Sequence, residues 1–337
     1  MSQQKTANFT DLELDDVIAF REKLLANRPN DIKLADNVLL MLDCRVPKVI
    51  GTGVYSRCQS ALSSKFKITK VNDKHLDTNF LINSINECRE IIGQFEINRK
   101  VAVQQIFEGT RHKIKEQPVY CGKFLDFFKE TQAICGLCYN CYKIQIAPSS
   151  LIDLMRLSMI LKIIELDRDN TRKCMIELRE GINKPYKGYI YCESESEAIH
   201  CLEVLRTHLE RCGLAHITTG ISHGCSEYGM EYPEFKFSDD GSHRSQQQPD
   251  EWRRVEEDYF SEPFSEKGQI LDFNTQEITL RDVICYETWI KYSEIIGDDT
   301  HKLFPVVPTD GKQKGFISRA EKQAPDRQAQ LLELLKD

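Results

Sequence analysis

The tightest constraint on this chain is an ordered change of apolar period between residues 142 and 222. Tyr142 to Ala147 alternates with period two, as a strand half-buried on a sheet does. Pro148, Ser149 and Ser150 then open an apolar stretch that runs with helical length to about Ile164, since proline fits the first helical turn and serine caps it. Lys173 to Arg179 alternates again, Gly181 to Pro185 breaks the chain as a hairpin turn would, and Gly188 to Cys192 makes a third strand. Ser194 and Ser196 offer N-caps for a helix to Cys212, Gly213 ends it, and His216 to Ser222 is a fourth strand. The order βαββαβ predicts a ferredoxin-like sandwich, with strands one and three central and two helices on one face of an antiparallel sheet.

The flanks read as helical. Thr10 to Glu13 has capping-box spacing before a helix that stops at Pro29. The stretch from Val38 to Tyr55 is ambiguous, and Lys65 to Val71 alternates as a strand. Residues 76 to 115 carry a helical period through Leu81, Ile85, Cys88, Ile92, Val101 and Ile106, with Gly93 as an interruption, and Phe124 to Ala133 adds an aromatic helix. After Phe235 a polar run reads as an exposed loop, Thr279 to Ile296 is helical again, and Pro305 to Ala324 reads as a connector before a short tail helix. The expected fold class is α+β. It comprises a mostly helical region over 1-134, a cysteine-rich loop plus ferredoxin-like domain over 135-235, and a loop-rich and helical extension over 236-337.

A formal charge of -7 argues against a surface built throughout for nucleic acid. No segment has the run of apolar residues that a membrane span or a secretory signal needs, so the expected location is cytoplasmic. Thirteen cysteines, an odd number, then point to reduced thiols rather than a disulfide framework.

Three of those thiols, Cys135, Cys138 and Cys141, form a C-x-x-C-x-x-C run. Thiolates are soft ligands suited to iron–sulfur clusters and to zinc, and the run is one ligand short of either. In the expected topology one rim of the sheet gathers Cys141 before strand one, Cys174 at the start of strand two, Cys192 at the end of strand three and Cys225 after strand four. Strand four pairs beside strand one, which selects Cys225 as the fourth ligand, with Cys174 as second choice. Cys174, Cys192, Cys201, Cys212, Cys88 and Cys285 share apolar faces with their neighbours and read as core. The expectation is a metal-binding protein carrying a 4Fe-4S cluster, with zinc as the alternative, in a redox or sensing role that involves a protein partner.

Lys187-Gly188-Tyr189-Ile190-Tyr191 supports a different class of function. It resembles the first half of the motif on the third strand of RNA-recognition modules, and the resemblance covers residues 142 to 222. It implies that Tyr189 and Tyr191 stack on bases and that Lys187 or Lys143 meets phosphate. The motif departs from that family at Cys192-Glu193-Ser194. A third reading is an enzyme using the 222-235 loop, where His223, Cys225, Glu227 and Glu231 lie close in sequence, although no nucleophile and base pair names a reaction there.

Overall fold

The computed structural model describes residues 57–58, 60–62, 72–95, 103–107, 113–114, 117–118, 121–168, 170–179, 181–232, 248–260, 278–306 and 313–334. The sequence-predicted helix ending at Pro29, the stretch from Val38 to Tyr55 and the strand over Lys65 to Val71 lie outside these residues or almost wholly so. In chain order the elements are α1 (Thr78–Gly93), β1 (Gln104–Phe107), β2 (Lys113–Ile114), β3 (Gln117–Pro118), α2 (Cys121–Thr131), β4 (Tyr142–Ala147) and α3 (Leu151–Ile163). They continue with β5 (Arg172–Ile176), β6 (Tyr186–Cys192), α4 (Glu195–Arg211), β7 (Thr218–His223), α5 (Ser226–Glu231), α6 (Asp250–Tyr259), α7 (Leu280–Ile296) and α8 (Lys314–Leu334).

The protein is a mixed helix-and-sheet fold. Its main sheet is antiparallel with order β1-β5-β6-β4-β7, and β2 and β3 pair separately. β4 lies between β6 and β7, with Tyr142 opposite Cys192 on one side and His223 on the other. One sheet face, formed by Ile144, Ile146, Cys174, Ile176, Tyr186, Ile190 and Cys192, joins α3 and α4 in a single core. Two differences from the sequence expectation concern the flanks. The helical stretch expected over 76 to 115 breaks at Gly93, where an interruption is expected, but it does not resume: Gln104–Phe107 is a strand that pairs with β5, so the edge of the sheet overrides a weak helical period. The connector expected over Pro305 to Ala324 is helical from Lys314 onward, because α8 packs on α7 and buries Ala320, Gln323, Arg327 and Leu331.

Helix α3 is apolar on nearly every side, which suits an element with no solvent face. It lies on the sheet and is also in contact with α1 and α7. Leu154, Leu157 and Leu161 are fully buried, each stabilising the fold by about 1.5–3 kcal/mol relative to exposure. A Cβ at Gly188 would stand 2.6 Å from Leu157 Cδ2 and 3.2 Å from Ile146 Cδ1, so glycine on β6 lets α3 approach the sheet closely.

The polar ends of this layer are partnered. Ser150 caps α3 by accepting from the Asp153 amide. Lys162 pairs with Asp282 at 2.8 Å in the interior. The end of α7 is closed by Gly297 in the left-handed region at φ 78°, and the chain then delivers Asp298. The Leu151 amide, at the N-terminus of α3, donates to Asp298 Oδ2 at 2.6 Å, and the Tyr186 hydroxyl donates to the same oxygen at 2.7 Å. The Thr300 amide and hydroxyl satisfy Oδ1 at 2.9 and 2.7 Å. One carboxylate therefore ties α7, α3 and β6 together, favoured by the positive end of the α3 dipole.

Replacing Asp298 by alanine leaves the Leu151 amide and the Tyr186 hydroxyl buried without that partner. It should cost about 2–4 kcal/mol of stability, read as a lower urea midpoint, whereas Tyr186→Phe should cost about 1 kcal/mol.

Candidate metal centre

The cysteine run lies between α2 and β4. Cys135 precedes a 3-10 turn over Gly136–Asn140 and Cys141 follows it, with the Cys138 amide donating to Cys135 O at 2.9 Å and the Cys141 amide to Cys138 O at 3.2 Å. Side chains three apart in such a turn fall on one side of it, but only Cys138 lies within the turn, and Cys135 and Cys141 are its extended caps. Cys135 is fully buried, Cys138 is 7 % exposed, and Cys141 is half-buried. Around the first two lies a second core made of Phe124, Phe127, Phe128, Ala133, Ile134, Tyr139 and Tyr228.

Cys225 reaches this place from the other end of the domain. β7 ends beside the start of β4, and the Gly224 amide donates to Cys141 O at 2.7 Å. Gly224, at φ 61°, turns the chain so that Cys225 precedes α5. Its half-buried side chain lies on the face of the sheet away from α3 and α4, where Lys143 Nζ stands 3.4 Å from Cys225 Sγ. Cys138 and Cys141 are both near enough for their charge to act on Cys225. Three residues on, the Tyr228 hydroxyl is 3.3 Å from Cys138 Sγ.

The hydrogen bonds divide the thiols into unlike states. Cys135 and Cys138 hydrogen-bond to each other, and that bond is the main cause that raises the Cys135 pKa and lowers that of Cys138. Burial and the charges on Cys138 and Glu256 raise Cys135 further, while Tyr228 and Lys143 favour the Cys138 thiolate against burial. Tyr228 is pushed up by burial and then by the Cys138 charge. Cys225 is pushed up by burial, with Lys143 opposing. Burial works against the charge on Lys143, but the groups around it, Cys225 first, outweigh that and raise its pKa.

Helix α6 closes the other side. The Cys135 thiol donates to Glu256 Oε1 at 2.9 Å, the Gly136 amide to Oε2 at 2.7 Å, and Gln248 Nε2 to the same oxygen at 2.5 Å. Gln248 also donates to Ile134 O at 3.1 Å. A Cβ on Gly136 would meet Gln248 Oε1 at 2.9 Å, so glycine leaves room for this contact. Two functional candidates, Glu256 and Tyr228, were not singled out in the sequence. Trp252, Val255 and Tyr259 recur with helical spacing in a run otherwise polar, and Tyr228 lies one helical turn after Cys225.

Other candidates separate from this centre. Cys174, Cys192 and Cys201 are buried in the main core, Cys285 with them, and Cys88 in a third cluster. His223 donates through Nε2 to Tyr139 O at 2.8 Å and leans on the Tyr142 ring at 4.9 Å. Glu227 pairs with Arg179 at 2.9 Å, so the 222-235 loop does not aim His223, Cys225 and Glu227 at one point. Tyr189 and Tyr191 do share a face, with ring centres 6.1 Å apart and Lys173 Nζ 5.3 and 5.6 Å from them, but Tyr189 is only 7 % exposed. Among the described residues no three His, Cys, Asp or Glu side chains are gathered, as they stand, to hold a metal ion. No helix among the described residues is long and apolar enough to cross a membrane. No protein family, characterised relative or solved structure matches this chain.

The donor set nonetheless suits a soft metal centre: four sulfurs on two segments, with aromatic walls and a cation beside one of them. Arg179 braces the Cys225 side through Glu227 while donating to the buried Glu177 carboxylate at 2.9 and 2.8 Å. Burial would raise Glu177, but Arg179 and Lys187 overcome it and hold its pKa down at about 2, against an ordinary 4.5.

Because the folded pKa is depressed, this carboxylate contributes fully above pH 4.5 and loses its contribution as pH falls toward about 2. Glu177→Gln should therefore flatten that part of the acid-induced loss, seen in urea midpoints measured across this range. Glu256→Ala removes the acceptor for the Gly136 amide and should raise its hydrogen-exchange rate about tenfold or more, equivalent to roughly 1.4 kcal/mol. Exchange across α6 should rise with it.

Proposed function

We propose that Cys135, Cys138, Cys141 and Cys225 bind an iron–sulfur cluster of the 4Fe-4S type, and that the protein acts in electron transfer or redox sensing. One observation carries this reading: the Gly224 amide bonded to Cys141 O brings a distant cysteine beside the C-x-x-C-x-x-C run. A three-cysteine run completed by a remote fourth is an arrangement used by cluster-binding proteins. The sheet order β5-β6-β4-β7, with β4 and β6 central and α3 and α4 sharing the core on one face, supports reading residues 142 to 222 as ferredoxin-like, widened by β1.

When bound, such a cluster takes up and returns single electrons at a potential set by its surroundings. The chain's own residues supply those surroundings. Phe124, Phe127, Phe128 and Tyr139 exclude water from the inner sulfurs, and Lys143 offsets negative charge at the half-buried Cys225. Cysteines that form no disulfide among the described residues, Cys141 and Cys225 included, suit a reducing compartment such as the cytoplasm, and the partial exposure of these two suits exchange with a protein partner. The limited exposure of Tyr189 favours this reading over RNA stacking, and the separation of His223 and Glu227 favours it over loop-based catalysis.

The test is iron and acid-labile sulfide analysis with an absorption spectrum, on protein purified without air, for wild type, Cys138→Ser and Cys225→Ser. Near-stoichiometric iron and sulfide with broad visible absorption are expected in wild type and should be lost in both variants. Zinc in their place would keep the four-sulfur site as a clamp between the helical segment and the sheet, and would end the redox reading. Absence of both metals would overturn it.

A further inference from the structure

The loop after β7 delivers more than a ligand. Cys225 and Tyr228 lie one helical turn apart, joined by the Tyr228 amide donating to Cys225 O at 3.0 Å. The Tyr228 side chain therefore enters the same place from the same support. Its ring is 1 % exposed and packs edge-on against Phe128, with centres 4.8 Å apart and planes at 70°. The Tyr232 amide donates to Tyr228 O at 2.7 Å and closes the turn. Held in this way, the phenol points its oxygen at Cys138 Sγ, 3.3 Å away. Cys138 is on the other segment of the site, so Tyr228 couples the two halves.

Resting on the cluster reading above, we infer that Tyr228 is a positioning residue that sets the reduction potential of the centre through its O–H to Cys138. A donor on a ligating sulfur draws electron density away from it and stabilises the more negative, reduced state. The potential is therefore higher than the same four sulfurs would give without it. The step itself is the uptake of one electron, supplied in the experiment by dithionite. No bond is made or broken, and the phenolic proton stays on Tyr228. Lys143 beside Cys225 acts in the same direction by charge, so both segments of the site favour reduction.

The experiment compares wild type, Tyr228→Phe and Tyr232→Phe, purified without air, by metal and sulfide content and by dithionite titration with mediator dyes followed in the visible spectrum. Tyr228→Phe should retain iron and show a midpoint shifted to more negative potential. Tyr232→Phe, which removes a neighbouring hydroxyl that donates to Gln132 O at 2.7 Å and not to sulfur, should leave the midpoint near that of wild type. An unchanged midpoint in Tyr228→Phe, or an equal shift in both variants, would overturn the inference. Loss of iron from Tyr228→Phe alone would overturn it as well, since the hydroxyl would then be needed to build the site rather than to tune it. If wild type holds zinc, the cluster reading fails by itself, and the hydroxyl is tested on cobalt(II)-loaded protein. There, sulfur-to-cobalt charge-transfer absorption should move to longer wavelength in Tyr228→Phe, and a fixed band would sink the role of the donor. Wild type that binds no metal would sink both readings together.

Discussion

The double pairing of β4 is the constraint from which the rest of this architecture follows. Because β4 is antiparallel to β6 on one side and to β7 on the other, its first residue has the ends of both neighbours at its flanks, Cys192 and His223. Residues just before β4 and just after β7 must therefore meet at one rim. The bond from the Gly224 amide to Cys141 O closes that meeting, and everything argued for the cysteine centre depends on it. With β4 held by β6, a slip of one residue in the β4–β7 register would turn the β7 side chains to the opposite face and displace Cys225 from Cys141.

The two cores handle buried polarity differently. Around α3, buried charges have fixed partners: Lys162 pairs with Asp282, and Asp298 accepts from an amide and a hydroxyl. Those contacts remove a penalty and leave little freedom. At the cysteine centre the groups are all exchangeable donors and acceptors of modest strength. A thiol is shared between Cys138 and Glu256, a phenol turns to sulfur, and an ammonium lies beside a thiol.

Much of the central domain could be read from residue pattern because period and punctuation agree there. Tyr142 to Ala147 is a strand over the expected span, Ser150 and Ser194 are the N-caps, and α4 gives way at Cys212 and Gly213. The flanks were less legible for a physical reason. Gln104–Phe107 is short and has no strong pattern of its own; it is a strand because β5 offers it an open edge. Helix α6 and the first part of α8 are polar segments whose order comes from tertiary contacts, namely Glu256 with the Cys135 turn and Gln323 with the Leu178 carbonyl. At the site, spacing could propose Cys135, Cys138 and Cys141, and topology could add Cys225. No local rule could place Tyr228 on Cys138, since that contact joins residues 90 apart in the chain.

That separation bears on how the molecule is made. The first three sulfurs leave the ribosome before the sheet exists, and the fourth follows only after β7. With β4 waiting in the middle of the sheet for its last neighbour, the rim cannot be completed until this long-range pairing has formed, and contacts of that kind are slow to close. The two cysteine-bearing segments therefore come together late in biogenesis, and a chain stalled before β7 would carry Cys135, Cys138 and Cys141 without Cys225 beside them.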